Sequence, residues 1–259
     1  MAEKKLFVFD IDGTLLDDNK NLPESTRNAV TSLMEHHEVA IATGRNRTMA
    51  MEVIKDLGVN NYIVCNGAAA YYQNDSIYTN SLDKEELNQL INMADENGHQ
   101  MIYETVDNLR RRSSEPNSRM VNGMHHVGFP VPDFDKDYYK SQSLVQCLIF
   151  YTKEEAELYE NNKFSQFRFV RWHDAGVDVL PADGSKYETI TRLAQHIGVD
   201  NQNIIAFGDG FNDIEMIRHV GTGVAMGNAE DEVKRVANIV TSKNGEDGIY
   251  NALKNMAFI

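Results

Sequence analysis

The chain has 259 residues, 42% of them hydrophobic and 25% charged, with a formal net charge of −14. A chain of this size buries enough core to fold without disulfides or a structural metal. Its acidity argues against nucleic acid or an anionic membrane as partner, since both would be repelled, and no stretch reaches the about 20 apolar residues of a membrane span.

Lys4 and Lys5 precede an apolar run that breaks at Asp10, so no leader peptide is expected and a cytoplasmic protein is. Leu6-Phe7-Val8-Phe9 is apolar without alternation, the pattern of a strand buried on both faces. Pro23, at a first-turn position, opens a helical repeat of Ala29, Val30, Leu33 and Met34. A second strand follows at Val39 to Ala42. Met49, Val53, Ile54 and Leu57 form the next helical repeat, stopped by Gly58. Tyr62 to Cys65 is a third strand. Cys65 and Cys147 each sit inside an apolar run and are expected as buried, reduced thiols.

From about Leu82 to Asp183 the pattern changes. A helix carries Leu87, Leu90, Ile91 and Ala94 and ends near Gly98, and a strand spans Gln100 to Thr105. A loop with Arg110, Arg111 and Arg112 comes next, then a strand at Leu144 to Tyr151 and a helix from Glu154. The runs Phe167 to Trp172 and Val177 to Leu180 are joined by His173-Asp174-Ala175-Gly176, a hairpin turn. The first pattern then resumes. Ile190, Leu193, Ala194 and Ile197 form a helix before Gly198, and strands at Ile204 to Phe207, Gly223 to Met226 and Ile239-Val240 enclose a helix of Ile214, Ile217 and Val220. Strand alternating with helix implies an α/β fold, a doubly wound parallel sheet built from residues 1–81 and 184–259. Residues 82–183 are expected as an inserted α+β domain with an antiparallel sheet.

Ligands of such a sheet bind beyond the carboxyl ends of its strands. Those ends carry Asp10-Ile11-Asp12-Gly13-Thr14, Thr43-Gly44-Arg45, Asn66-Gly67, Gly208-Asp209-Gly210-Phe211-Asn212-Asp213 and Gly227-Asn228. An Asp-Gly pair or a Thr-Gly-Arg alone is a turn signal; their recurrence after every buried strand is not. Asp10, Asp12, Asp209 and Asp213 would repel one another unless a hard cation joined them, and Mg²⁺ takes oxygen ligands. The glycines let backbone amides turn toward an anion, and Thr43 offers a hydroxyl.

These residues resemble the motifs of the haloacid dehalogenase superfamily. Asp10 to Thr14 resembles its first motif, Thr43 its second, Lys186 its third, and Gly208 to Asp213 its fourth. The long gap before Lys186 is similar to the Cof-type, class IIB subgroup, with its large α+β cap on a Rossmann-like core. The resemblance implies a phosphatase that removes phosphate from a small metabolite, a sugar phosphate first among them. It implies Asp10 as nucleophile and Asp12 as proton donor and later base, with a raised pKa next to two anions. Thr43, Lys186 and Asn212 would hold the phosphoryl group with the amides of Ile11 and Gly44. Mg²⁺ would sit on Asp10, the Asp12 carbonyl and Asp209, with Asp213 a ligand or its support. A phosphomutase on the same scaffold is the near alternative, and a silent phosphate-binding regulator the distant one. Oligomeric state is unmarked in the sequence.

Other polar residues are read more plainly. Arg110 to Arg112 is expected as a solvated loop, His125-His126 as a surface or core pair, and Trp172 and His173 as packing residues. Arg45 stands either beside the substrate or apart from it.

Overall fold

The computed structural model describes residues 4–259. The chain forms two compact units, one comprising the chain up to Tyr78 together with Ser185–Ile259, the other Thr79–Gly184. In the first, β1 (Leu6–Phe9), α1 (Glu24–Met34), β2 (Glu38–Ala42), α2 (Arg47–Leu57) and β3 (Asn61–Val64) alternate, followed by β4 (Ala69–Tyr72) and β5 (Asp75–Thr79). The second unit holds α3 (Lys84–Glu96), β6 (Gln100–Glu104), β7 (Leu109–Arg111), α4 (Ser118–His126), α5 (Tyr138–Ser141), β8 (Gln146–Phe150), β9 (Phe167–Arg171) and β10 (Gly176–Pro181). The first unit then resumes with α6 (Lys186–Ile197), β11 (Ile204–Gly208), α7 (Ile214–His219), β12 (Thr222–Ala225), α8 (Asp231–Val236), β13 (Ile239–Val240) and α9 (Gly248–Asn255).

The large sheet has the order β13-β12-β11-β1-β2-β3-β4-β5. From β13 to β3 the strands are parallel. Side chains of a strand alternate between faces. Leu6 and Val8 therefore pack with Ile190 and Leu193 of α6, Met216 and Ile217 of α7 and Val233 of α8. Phe7 points the other way and meets Phe258 edge to face at 4.9 Å. On that side α1 packs against β2 and α9. Helices on both faces make the sheet doubly wound. β4 runs antiparallel to β3 and was not foreseen in the sequence. The turn between β4 and β5 uses Gln73 and Asn74, both at positive φ, without the glycine that usually marks such a hairpin.

The second unit is an antiparallel sheet, β7-β6-β8-β10-β9. One face packs Met101, Tyr103, Cys147, Val177 and Val179 against Leu87, Leu90 and Ile91 of α3. The other packs Ile102, Leu148 and Phe150 with Met120 and Met124 of α4 and with Trp172. Helix α4 escaped the sequence reading because Gly123 interrupts its apolar repeat. That glycine lies against Phe150, where an added Cβ would be 2.9 Å from the ring. Two further expectations are corrected. The segment from Glu154 is a 3₁₀ helix, Lys153–Leu158. The three arginines are not a solvated loop: Arg110 and Arg111 lie in β7, and their neighbours use them as staples. Arg111 donates to the carbonyls of Ser113, Ser114 and Pro132, while Arg112 forks onto Asp95 and reaches the Tyr103 hydroxyl.

One close approach in the first unit positions the site. Gly67 has φ +99°, and a Cβ there would run into the Ser185 carbonyl and the Lys186 amide. Its own carbonyl accepts the Thr189 hydroxyl at 2.6 Å. The start of α6 is thereby docked on the chain after β3. Gly67→Ala is expected to lower stability by roughly 1–3 kcal/mol through strained backbone and displacement of that helix. Chemical denaturation checks this; an unchanged midpoint would show that α6 has room to move.

Candidate active site

Beyond the carboxyl ends of β1 and β11, charged side chains are buried together. Asp10 follows β1, its amide bonded to the Phe207 carbonyl of the neighbouring strand at 3.0 Å. Lys186 opens α6, whose N-cap Ser185 accepts the Glu188 amide. The Lys186 Nζ lies 2.6 Å from Asp10 Oδ1 and 2.6 Å from Asp213 Oδ1, with all three side chains almost fully buried. The other Asp213 oxygen accepts the amides of Asp209 and Gly210 at 3.0 Å each, which closes the loop after β11. Asp209 in turn accepts the Thr14 hydroxyl at 3.0 Å. Gly13, at φ +80°, lets the chain after Asp12 pass against the Asp209 carboxylate, where a side chain would collide.

Asp10, Asp209 and Asp213 each offer an oxygen within 4.8 Å of the others. Burial pushes the Asp10 carboxyl well above the usual range, and Asp213 and Asp209 add to the rise against the pull of Lys186. Burial and the charge of Asp213 push Asp209 up to about 7. Burial alone would push the Lys186 ammonium down; Asp10 and Asp213 override it and hold the lysine charged. One buried lysine thus stands in a group of three carboxylates and bonds two of them, Asp10 and Asp213. An all-oxygen, electron-rich cluster of this kind fits a hard divalent cation.

Asp12 behaves otherwise than its sequence position suggested. Burial does raise its carboxyl, but Arg45 and Lys20 more than reverse the rise and hold it down at about 2. Arg45 forks onto it through Nε at 2.7 Å and Nη2 at 2.8 Å, and Lys20 Nζ adds a bond at 2.8 Å. The expected raised acid is therefore an ionised, doubly paired carboxylate. Its side chain is not one of the three whose oxygens lie within 4.8 Å of one another.

The remaining predicted residues lie in the loops that follow β1, β2 and β11. Ile11 and Thr43 are buried. The Thr43 hydroxyl accepts the Arg45 amide at 3.1 Å, and its carbonyl accepts the Asn66 amide. Gly44 lies against the Asn66 side-chain amide. Asn212 donates to Asn66 Oδ1 at 3.0 Å. Asn66 was noted in the sequence only as part of a turn, and nothing there marked it as the partner of Asn212. Asn228 donates to the Gly13 carbonyl at 2.8 Å, and Asn244 is tied both to Asn228 and to the Leu16 carbonyl. Lys20 and Asn244 lie outside every strand end, where a sequence reading has no reason to look.

A profile of the haloacid dehalogenase-like hydrolases matches residues 7–253. The chain belongs to this family. YkrA of Bacillus subtilis (strain 168) is 37% identical over 258 residues, 99% of either chain. The pyridoxal phosphate phosphatase YbhA of Escherichia coli (strain K12) is 30% identical over 267 residues, covering 95% of this chain and 96% of that one. Among solved structures, the subclass IIB sugar phosphatase BT4131 superposes with a TM-score of 0.86 at 29% identity, covering 99% of this chain and all of that one. Similarity to phosphatases along the whole chain makes this protein a phosphatase of the haloacid dehalogenase-like hydrolases. No helix among the described residues is long and apolar enough to cross a membrane.

The raised Asp209 carboxyl has a consequence for stability. Its folded value lies above the ordinary 3.8 of the unfolded chain. Between the two, the folded state holds a proton that the unfolded state has lost, so stability falls as pH rises toward 7. In chelator the melting temperature is expected to drop by several degrees between pH 5 and 7.5. A divalent cation should remove most of that drop. A metal-free protein whose melting temperature rises over this range would contradict the electrostatics described.

Proposed function

We propose that this phosphatase hydrolyses a small phosphate monoester, with a sugar phosphate as its first candidate, through an aspartyl phosphate on Asp10 and with Mg²⁺ as cofactor. The observation that carries the reading is the convergence of Asp10, Asp209 and Asp213 within 4.8 Å around the buried Lys186. Bound Mg²⁺, held by Asp10, Asp209 and the Asp12 carbonyl with Asp213 bracing them, would neutralise charge on the phosphoryl oxygens. The sugar phosphate class is supported by the likeness to a sugar phosphatase.

The chain's own groups divide the work in two displacements. In the first, an Asp10 oxygen bonds to phosphorus while the ester P–O bond breaks, and Asp12 delivers a proton to the leaving oxygen. In the second, water attacks phosphorus, Asp12 takes its proton, and the Asp10–phosphorus bond breaks. Lys186 opposes the burial that raises Asp10, orients it through the 2.6 Å bond before attack and offers its charge to the phosphoryl oxygens during it. Thr43, Asn212 and the amides of Ile11 and Gly44 surround those oxygens. Asp12 starts ionised on Arg45 and Lys20. It becomes a donor when the anionic ester competes for those cations and the carboxylate takes up a proton from solvent.

Release of free phosphate distinguishes this reading from a phosphomutase. Asp10→Asn keeps the shape and removes the attacking anion. Turnover of p-nitrophenyl phosphate is expected to fall at least about a thousandfold in that variant, with the fold intact by circular dichroism. Chelator should stop the wild type, and Mg²⁺ should restore it. A variant keeping a tenth of wild-type turnover would mean that Asp10 does not attack phosphorus.

A further inference from the structure

Lys20 is a surface lysine by exposure, and a lone surface ion pair is ordinarily worth little. Its setting is not ordinary. Lys20 has φ +63°, in the left-handed region that favours glycine and asparagine. The loop around it is built to keep it there. Asp17 Oδ1 accepts the amides of Asn19 and Asn21 at 2.9 and 2.8 Å, the Asp17 amide bonds the Asn21 carbonyl, and the Lys20 amide bonds the Asp17 carbonyl. The buried Asn244 ties the loop down through the Leu16 carbonyl and Asp18 Oδ1. The strained residue thus carries a fixed ammonium to within 2.8 Å of Asp12 Oδ1. A strained backbone position held by its surroundings at a reactive group is a mark of function.

An ammonium has three donors. Among the described residues the Lys20 ammonium has one side-chain partner, Asp12, and the side chain is 55% exposed. The rest of the ammonium is open to solvent beside the Asp12 carboxylate. With Asp12 at the leaving oxygen, a substituent on the carbon that bears that oxygen would lie beside this ammonium. We propose that Lys20 is a specificity-determining residue that pairs with a second anionic group, a carboxylate or a second phosphate, carried by the substrate beside its phosphate ester. In a chain of net charge −14, a fixed cation at this point selects for such a group where the remaining surface repels it. The inference rests on Asp12 standing at the leaving oxygen, as the proposed function has it.

The test is a matched pair of esters. In 2-phosphoglycerate a carboxylate occupies the carbon that bears the ester; in glycerol 2-phosphate a hydroxymethyl group replaces it. The ratio of kcat/KM for the two is measured in wild type, Lys20→Met and Lys20→Arg, whatever happens to either absolute rate. Wild type is expected to favour the carboxylate by roughly 10- to 100-fold, the worth of one charge-assisted hydrogen bond. Lys20→Met should collapse that ratio toward one, chiefly through KM, and Lys20→Arg should keep most of it. No preference in wild type would overturn the proposal. So would an equal loss of both substrates in Lys20→Met, which would reduce Lys20 to a positioning residue for Asp12. p-Nitrophenyl phosphate is run beside them: its hydrolysis with a flat ratio sinks this inference alone, whereas no hydrolysis of any ester in wild type sinks the proposed function and this inference with it.

Discussion

The first unit is organised around a buried ammonium. Lys186 bridges Asp10 and Asp213 at 2.6 Å on either side, with all three almost fully buried. Removing one partner from such a buried group leaves an uncompensated charge, at a cost of about 3–5 kcal/mol. The surrounding structure is shaped to keep the three together. Gly67 admits the start of α6, Thr189 fastens it to the Gly67 carbonyl, and Asp213 is anchored by two backbone amides of its own loop. Segments far apart in sequence are thereby locked at one point. The same lysine leaves the cluster short of positive charge, because it is shared by Asp10 and Asp213 while Asp209 has a hydroxyl as its side-chain partner. A site in this condition attracts a cation and, through the cation, a phosphate.

Asp10 and Asp12 are two residues apart and electrically opposite. The chain leaves the strand after Phe9 and turns, with Gly13 at φ +80°, so Asp10 stays in the buried cluster while Asp12 faces Arg45 and Lys20. Burial governs the first and cations the second. Two carboxylates held in different environments can take different parts in one reaction. In the proposed reaction, an Asp12 pinned by two cations would start as a base, and its service as an acid would depend on the substrate drawing those cations off.

Much of this was legible in the sequence, for definite reasons. Strands buried on both faces have no polar alternation, so β1, β2, β3 and β11 stand out as apolar runs, and each ends abruptly in the residues of the site. The aspartates and Lys186 were legible because their spacing resembles a known family. The β4–β5 turn was hidden because Gln73 and Asn74 adopt positive φ without a glycine to announce it. Helix α4 was hidden by Gly123, which is there for contact with Phe150 and Trp172 rather than for helix propensity. Asn66, Asn228 and Asn244 are connectors, and a connector is defined by its partner across the fold. The state of Asp12 was misjudged for the same reason: its pKa is set by Arg45, 33 positions away, and by a lysine in a loop.

The central claim is a covalent bond between Asp10 and phosphorus, and it is tested most directly by trapping that bond. Wild-type protein is mixed with a phosphate ester and Mg²⁺, quenched in acid during turnover, treated with borohydride, digested and sequenced by mass spectrometry. Reduction of an acyl phosphate converts the aspartate that carried it into homoserine. The account predicts homoserine at position 10, only when ester is present, and none at Asp12, Asp209 or Asp213. Turnover that proceeds with no modified aspartate in the quenched protein, or with the modification at another aspartate, would contradict it.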